Sequence, residues 1–414
     1  MQTFFKEDST IKNYPRTLII FLFATFPIAI VLGNLLINIY IILIGSIYLI
    51  FNLNLKLIYN KNFLILVFFF ISLLINLIFS DNFDLTYPRV TKFFFIIFFV
   101  LSFEYLVRFK KSYDEKIFKF WSLLLTIFII DLFIEFTFGY NSLGMKSYMP
   151  SRLAGFFGDE LVAGYFLSGF VLIYFSFIKN YFKNNTAILL VAFILIVFFS
   201  LIIGERSNFI RLILDISILI FIFNKKHYLL NIISILVILL IFTSLVATNK
   251  YYSYRFVSQI QKMTSKDNTI DKYLKNSEYG AHYDAAYQIF KKNKIFGVGI
   301  KNFRVESRKH IYHNKDYLFT FNRSKTHPHQ IHYEFLSETG LVGYLSFLIF
   351  IIFSLSISIR YCILNKSFYQ LSSILFILFS LIPYLPSGSF FSTFNSSIFW
   401  INYAIMMAYN KKLN

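Results

Sequence analysis

The chain has a single cysteine, Cys362, in 414 residues. That excludes an internal disulfide and any metal cluster built on several thiolates. Charge is scarce as well: 15% of residues are charged, against 57% hydrophobic residues, 56 phenylalanines and a mean hydropathy of +0.63. Such a composition leaves little for a water-soluble surface, and the fold class expected is an all-alpha polytopic membrane protein. The first apolar run, Thr17 to Phe51, lacks a small-residue cleavage pattern and reads as retained membrane helices, not a signal peptide. No full internal repeat is evident, and unequal loops argue against two matched transporter halves. A net charge of +19 would suit nucleic acid, but the basic residues gather at the ends of apolar runs, as membrane topology requires. No nucleic-acid partner is expected.

At about 20 residues per crossing, apolar spans fall near 17–33, 35–52, 62–80, 89–107, 118–137, 158–178, 187–204, 208–223, 229–247, 338–359, 369–385 and 394–410. Basic residues mark every second loop: Lys6, Lys12 and Arg16 before the first span, then Lys56 and Lys61 after the second. Arg108, Lys110, Lys111, Lys116 and Lys119 surround the next such turn. Lys179 and Lys183, Lys225 and Lys226, Arg360 and Lys366, and Lys411 and Lys412 continue the alternation. Twelve spans with both termini cytoplasmic satisfy the positive-inside rule. The chain then divides into a bundle of about nine helices (1–247), one large external loop, partly helical (248–335), and a bundle of about three helices (336–414). The segments 81–88, 138–157, 204–207 and 386–395 share the external face with that loop.

Within the loop, Ala285, Ala286, Ile289 and Phe290 are spaced as on an amphipathic helix, followed by a Gly297-Val298-Gly299 turn. Tyr251, Tyr252 and Phe256 read as packing residues. Two arginines near external span ends invite a functional reading. Arg206, in IIGERSNFIRLIL, is either an interfacial anchor neutralised by Glu205 or a guanidinium clamp for an anionic headgroup, with Arg211 deeper or turned away. Arg255 supplies a second cation on the same side; two forks on one diphosphate would both position and neutralise it. Arg152 either orders the start of the sixth span, with Asp159 and Glu160 in its first turn, or touches substrate. Arg304 is a further candidate. Glu135 interrupts an apolar run, and Asp81 and Asp84 are solvated loop residues or ligands of a cation or sugar.

The histidines come in the stretch KTHPHQIHYEFLSETGLVG. His327 and His329 flank Pro328 in a constrained, extended segment before Gln330; His332, Glu334, Glu338 and Gly340 follow. Their spacing matches no strong zinc signature, and no metal is expected. Capping, or proton transfer by a neutral imidazole, remain as alternatives.

Several stretches together resemble the O-antigen ligase and polymerase superfamily of bacterial envelope glycosyltransferases. SRLAGFFGDELVAGYF resembles the family's arginine-glycine approach to a middle helix, GERSNFIRLIL its arginine-bearing helix, and AAYQIFKKNKIFGVGIKNF the loop segment ending in G-x-G and phenylalanine. THPHQIHYEFLSETGLVG resembles the family's HPHN segment, with Gln330 in place of the asparagine; both amides donate and accept hydrogen bonds. The resemblance implies a GT-C-like fold in the inner membrane, with the large loop periplasmic. It also implies a glycan donor on undecaprenyl diphosphate, a lipid A-core or lipid-linked glycan acceptor, contact with membrane lipids, and no metal or cofactor at the transfer step. By resemblance, Arg206 and Arg255 hold the diphosphate, and His327 or His329 removes the acceptor proton. Ligase is the expected activity and polymerase the alternative. From another class, a flippase or exporter would carry the anionic lipid in a cationic cavity without cutting it.

Overall fold

The computed structural model describes residues 13–52, 60–109, 112–182, 185–264 and 270–411. Of the basic topology markers, Lys6, Lys12, Lys56, Lys110, Lys111, Lys183 and Lys412 lie outside these residues. Nine long helices come first: α1 (Asn13–Leu32), α2 (Asn34–Asn52), α3 (Lys61–Ile78), α4 (Phe83–Phe109), α5 (Ser112–Phe138), α6 (Ala163–Tyr181), α7 (Thr186–Ile202), α8 (Arg206–Phe223) and α9 (Tyr228–Thr248). The loop contributes α10 (Glu278–Lys292) among shorter turns, and the chain returns to the bundle with α11 (Ile331–Asn365), α12 (Phe368–Ser380) and α13 (Thr393–Ala408). Among the described residues there is no strand.

Seven helices, α1 to α5, α9 and α11, are long and apolar enough by length and composition to cross a membrane. Helices α7 and α12 are apolar but shorter, and α8 carries Arg206, Arg211 and Asp215 among its apolar residues. Helix α4 lies in the interior, packed by α2, α3 and α13. Phenylalanine does much of the filling: the Phe69 ring stacks on Phe350 at 4.8 Å and meets Phe93 edge-on at 5.3 Å. Helix α9 behaves oppositely, leaving Leu229, Leu236 and Leu240 exposed, as a lipid-facing helix requires.

Two helix starts differ from the sequence expectation. Helix α6 begins at Ala163, not near 158, because residues 155–157 form a tight 3-10 turn. Asp159 and Glu160 therefore precede the first turn and do not charge it. Helix α11 begins at Ile331, before the expected 338, because the Gln330 side chain caps it by accepting the Tyr333 amide at 3.0 Å.

The loop is locked to the bundle where α11 breaks. Gly340 has φ +62 inside the helix, and its missing side chain leaves room for the Ile295 carbonyl. The interrupted ladder is completed by the loop: the Val298 and Gly299 amides donate to the Ser337 and Glu338 carbonyls at 3.1 and 2.8 Å. In return, the Leu341 and Val342 amides donate to Lys294 and Ile295 at 2.8 and 3.1 Å. Asn76 at the end of α3 adds two bonds, to the Phe296 and Glu338 carbonyls, and accepts the Ile300 amide. Below this junction Lys301 reaches Ser389, which in turn donates to Glu334. The histidine segment is thus held from both sides.

Candidate functional site: an arginine-histidine cavity

The ends of α6 and α8, the turn after α9, the start of α10, and the segments before α11 and α13 enclose a cavity of about 480 Å³. Its wall carries Arg152, Arg206, Arg211, Arg255, His327 and His329. Among the described residues Glu205 is the single carboxylate on that wall, so with neutral histidines their lining carries a net charge of +3.

Gly204 brings the arginines together. At φ +76 it lies so close to Ser151 that a β-carbon would sit 2.1 Å from the Ser151 carbonyl oxygen. Its own carbonyl accepts Arg255 Nε at 2.5 Å. Arg255 belongs to a π-helical turn, Tyr254–Ser258, anchored below by the Tyr252 hydroxyl on the Ile202 carbonyl at 2.7 Å. Arg206 opens α8 and donates from Nη1 to the Arg255 carbonyl at 3.0 Å. Burial, and then the neighbouring Arg152 and Arg206, lower the Arg255 pKa to about 10. The guanidinium stays charged at neutral pH, in surroundings that favour an incoming anion.

Glu205 does not pair with its neighbour Arg206. Its carboxylate bridges Arg152 at 2.7 Å, accepts from Asn208, and takes the Gly164 amide at 3.3 Å at the N-terminus of α6. Of the two alternatives for Arg206, an anchor neutralised by Glu205 is therefore the one this geometry corrects. Arg152 is fixed further by the Leu161 carbonyl at 2.7 Å. Glu135 orders the same segment, accepting the Ala154 and Gly155 amides. Arg211 is deep but not turned away: it lines the cavity and holds the Leu385 and Pro386 carbonyls at 3.2 and 2.8 Å.

The histidines face this cationic wall. The segment is bent, not extended as its sequence suggests, and the bend brings the His327 and His329 rings to 4.0 Å of one another. His329 adopts φ +59, a conformation rare outside glycine, and its carbonyl accepts the Ser387 amide at 2.8 Å. His327 Nδ1 lies 3.0 Å from Thr326 Oγ1, and the Ser387 backbone adjoins the ring, but among the described residues buried Nε2 has no hydrogen-bond partner. Arg152 Nε, Arg211 Nε and Ser387 Oγ are likewise buried without partners among the described residues. Unsatisfied polar groups of this kind favour a polar ligand. Burial, with His282 and Lys325 nearby, lowers the His329 pKa to about 4; burial, with His329 and Lys301, depresses His327 well below its ordinary value. Both rings are neutral at pH 7.

A third histidine joins them, and it is His282, not His332. His282 on α10 lies 5.2 Å from the His329 ring and gives Nε2 to the Asn322 carbonyl at 3.1 Å. Tyr279, one helical turn earlier, completes the patch at 5.7 Å from His329. Their three-residue spacing on an amphipathic helix was the available signal. His332 is occupied elsewhere, by the Leu381 carbonyl at 2.8 Å and the Tyr344 hydroxyl at 3.1 Å. Gln330 caps α11 and borders a smaller hollow with His332, while Arg304 lies in a short helix outside the arginine cavity. Asp81 and Asp84 are exposed and do not line it. Among the described residues, no three His, Cys, Asp or Glu side chains are arranged to hold a metal ion.

Residues 190–348 match the family model described as O-antigen ligase. Over this segment, less than half of its length, the chain is similar to the O-antigen ligase/polymerase superfamily. The matched segment carries Arg206, Arg211, Arg255, Arg304, His327, His329 and Gln330, and leaves Arg152 outside. No curated protein matches the chain. Members of that family are membrane glycosyltransferase-like enzymes of ligase or polymerase type.

Proposed function

We propose that the chain is an O-antigen ligase-like glycosyltransferase that moves a glycan from undecaprenyl diphosphate to lipid A-core. It would cross the bacterial inner membrane twelve times in a GT-C-like arrangement, with cytoplasmic termini and a periplasmic loop. The observation that carries this reading is the convergence of four arginines and two neutral histidines on one cavity at the helix ends. Arg206 and Arg255 hold the diphosphate in this account, with Arg152 beside them, so leaving-group charge is neutralised without a metal or cofactor. Arg211 holds the 385–388 segment against the donor.

Transfer proceeds by direct displacement. The acceptor hydroxyl forms a bond to the anomeric carbon as the bond to the diphosphate oxygen breaks, and undecaprenyl diphosphate leaves with the electron pair. The proton goes to His327 or His329. A base with a pKa near 4 is weak; burial is the main cause of that depression, and a bound diphosphate, as an anion beside the histidines, favours their protonated form and so raises their basicity when the donor is present. The anomeric centre inverts.

The acceptor is tested by offering purified protein one labelled lipid-linked oligosaccharide with lipid A-core, or with a second lipid-linked glycan. Labelled lipid A-core is the expected product. Long glycan remaining on undecaprenyl diphosphate, with none on core, would instead establish a polymerase.

A further inference from the structure

A second cavity, of about 890 Å³, lies at the opposite ends of the same helices. Arg206 opens α8 at the arginine cavity, while Phe221 and Phe223 at the end of α8 border this one. Eighteen residues separate the two ends by about 27 Å at 1.5 Å per residue, close to a bilayer's hydrocarbon thickness. One cavity thus meets each membrane surface.

The wall is basic from three directions. Lys179 comes from the end of α6, Lys225, Lys226 and His227 from the turn between α8 and α9, and Lys366 from the turn between α11 and α12. Among the described residues no carboxylate lines it. Lys179 is buried and anchored, donating to the Phe223 carbonyl at 2.6 Å beneath the Phe223 and Phe368 rings. Lys225, Lys226 and Lys366 are exposed and make no ion pair among the described residues. The rim is apolar and open to the side: Phe221, Ile222 and Ile363 are all exposed at its edge. The floor is already satisfied, since Asn224 pairs with Thr186 and Asn231.

We propose that this cavity binds an anionic phospholipid of the cytoplasmic leaflet. The phosphate would sit among the lysines while the acyl chains run along Phe221, Ile222 and Ile363. Positive-inside topology accounts for lysines on this face, but not for their convergence from three turns onto one cavity with an apolar exit. Basic pockets between membrane helices hold anionic headgroups in this way. A free phosphate would need the lysines but not the apolar rim.

The test is native mass spectrometry of the full chain in detergent, titrated with phosphatidylglycerol, phosphatidylcholine or inorganic phosphate. Phosphatidylglycerol should be retained at least tenfold more tightly than phosphatidylcholine, with the difference shrinking as salt rises. The triple variant K225Q/K226Q/K366Q changes only exposed side chains and should lose that preference. The control K61Q/K116Q/K119Q, which alters lysines outside this cavity, should keep it. Equal retention of the two lipids by the wild type, or equal loss in both triple variants, would overturn the proposal. Displacement of phosphatidylglycerol by an equal concentration of inorganic phosphate would identify a free-anion site and overturn it too.

Discussion

Arg206 donates to the backbone carbonyl of Arg255 at 3.0 Å, so the start of α8 and the turn after α9 present their two guanidinium groups as one unit. Each side chain helps fix the other's place. Removing either charge should therefore damage more than one contact. R206A and R255A should each lower kcat/KM for the lipid-linked donor by about 10²-fold or more, and R206K should recover part of it by restoring charge without the planar fork. Steady-state kinetics with purified donor check this; unchanged constants in both alanine variants would rule the clamp out.

R211A should behave differently. It strips hydrogen bonds from the Leu385 and Pro386 carbonyls and frees the segment that carries Ser387. The expected result is a lower Tm and faster proteolysis between residues 381 and 392, with a smaller loss of donor affinity than in R206A. Limited proteolysis beside a donor titration separates the two effects.

Gly204 offers a test away from any charge. G204A places a methyl group against the Ser151 carbonyl at a backbone angle that disfavours side chains, at a cost of about 1–3 kcal/mol. Tm should fall accordingly, and donor turnover should fall with it although every arginine and histidine remains. Wild-type turnover in G204A would mean that the Gly204 contact does not set the arginine geometry.

Acid should destabilise the histidine cluster. The ordinary imidazole pKa is near 6.5, whereas His282 and His329 are lowered to about 4 in the folded chain. Between those values the unfolded chain binds protons that the folded chain does not, so stability falls as pH drops from about 6.5 to about 4. Thermal melts of the wild type and of a H282Q/H329Q variant in the same detergent check the sign: the variant should lose less Tm over that window.

The bundle is legible in the sequence because apolar runs near bilayer length are interrupted by paired basic residues. Helix α3 was expected over 62–80 and occupies Lys61–Ile78; α9 was expected over 229–247 and occupies Tyr228–Thr248. Arg206, Arg255 and the histidine pair could be singled out because charge beside hydrocarbon, and H-P-H ahead of an apolar run, are locally conspicuous. What the sequence withheld depends on contacts distant along the chain. Glu205 stands next to Arg206 but pairs with Arg152, 53 positions earlier. His282 reaches His329 only because Gly297 and Gly340 let the loop dock on the broken helix. Gln330, expected at the substrate, spends its amide on a helix cap.

In the proposed transfer the arginine wall binds the donor while the histidine pair moves the proton. It is tested most directly by single-turnover assays of H327A/H329A beside the wild type, with labelled undecaprenyl-diphosphate glycan and lipid A-core. The account predicts donor binding within a few-fold of wild type, release of undecaprenyl diphosphate slowed by about 10²–10⁴-fold, and wild-type product with an inverted anomeric centre. Wild-type release rates in the double variant across pH 6–8, or retained configuration in the product, would contradict it.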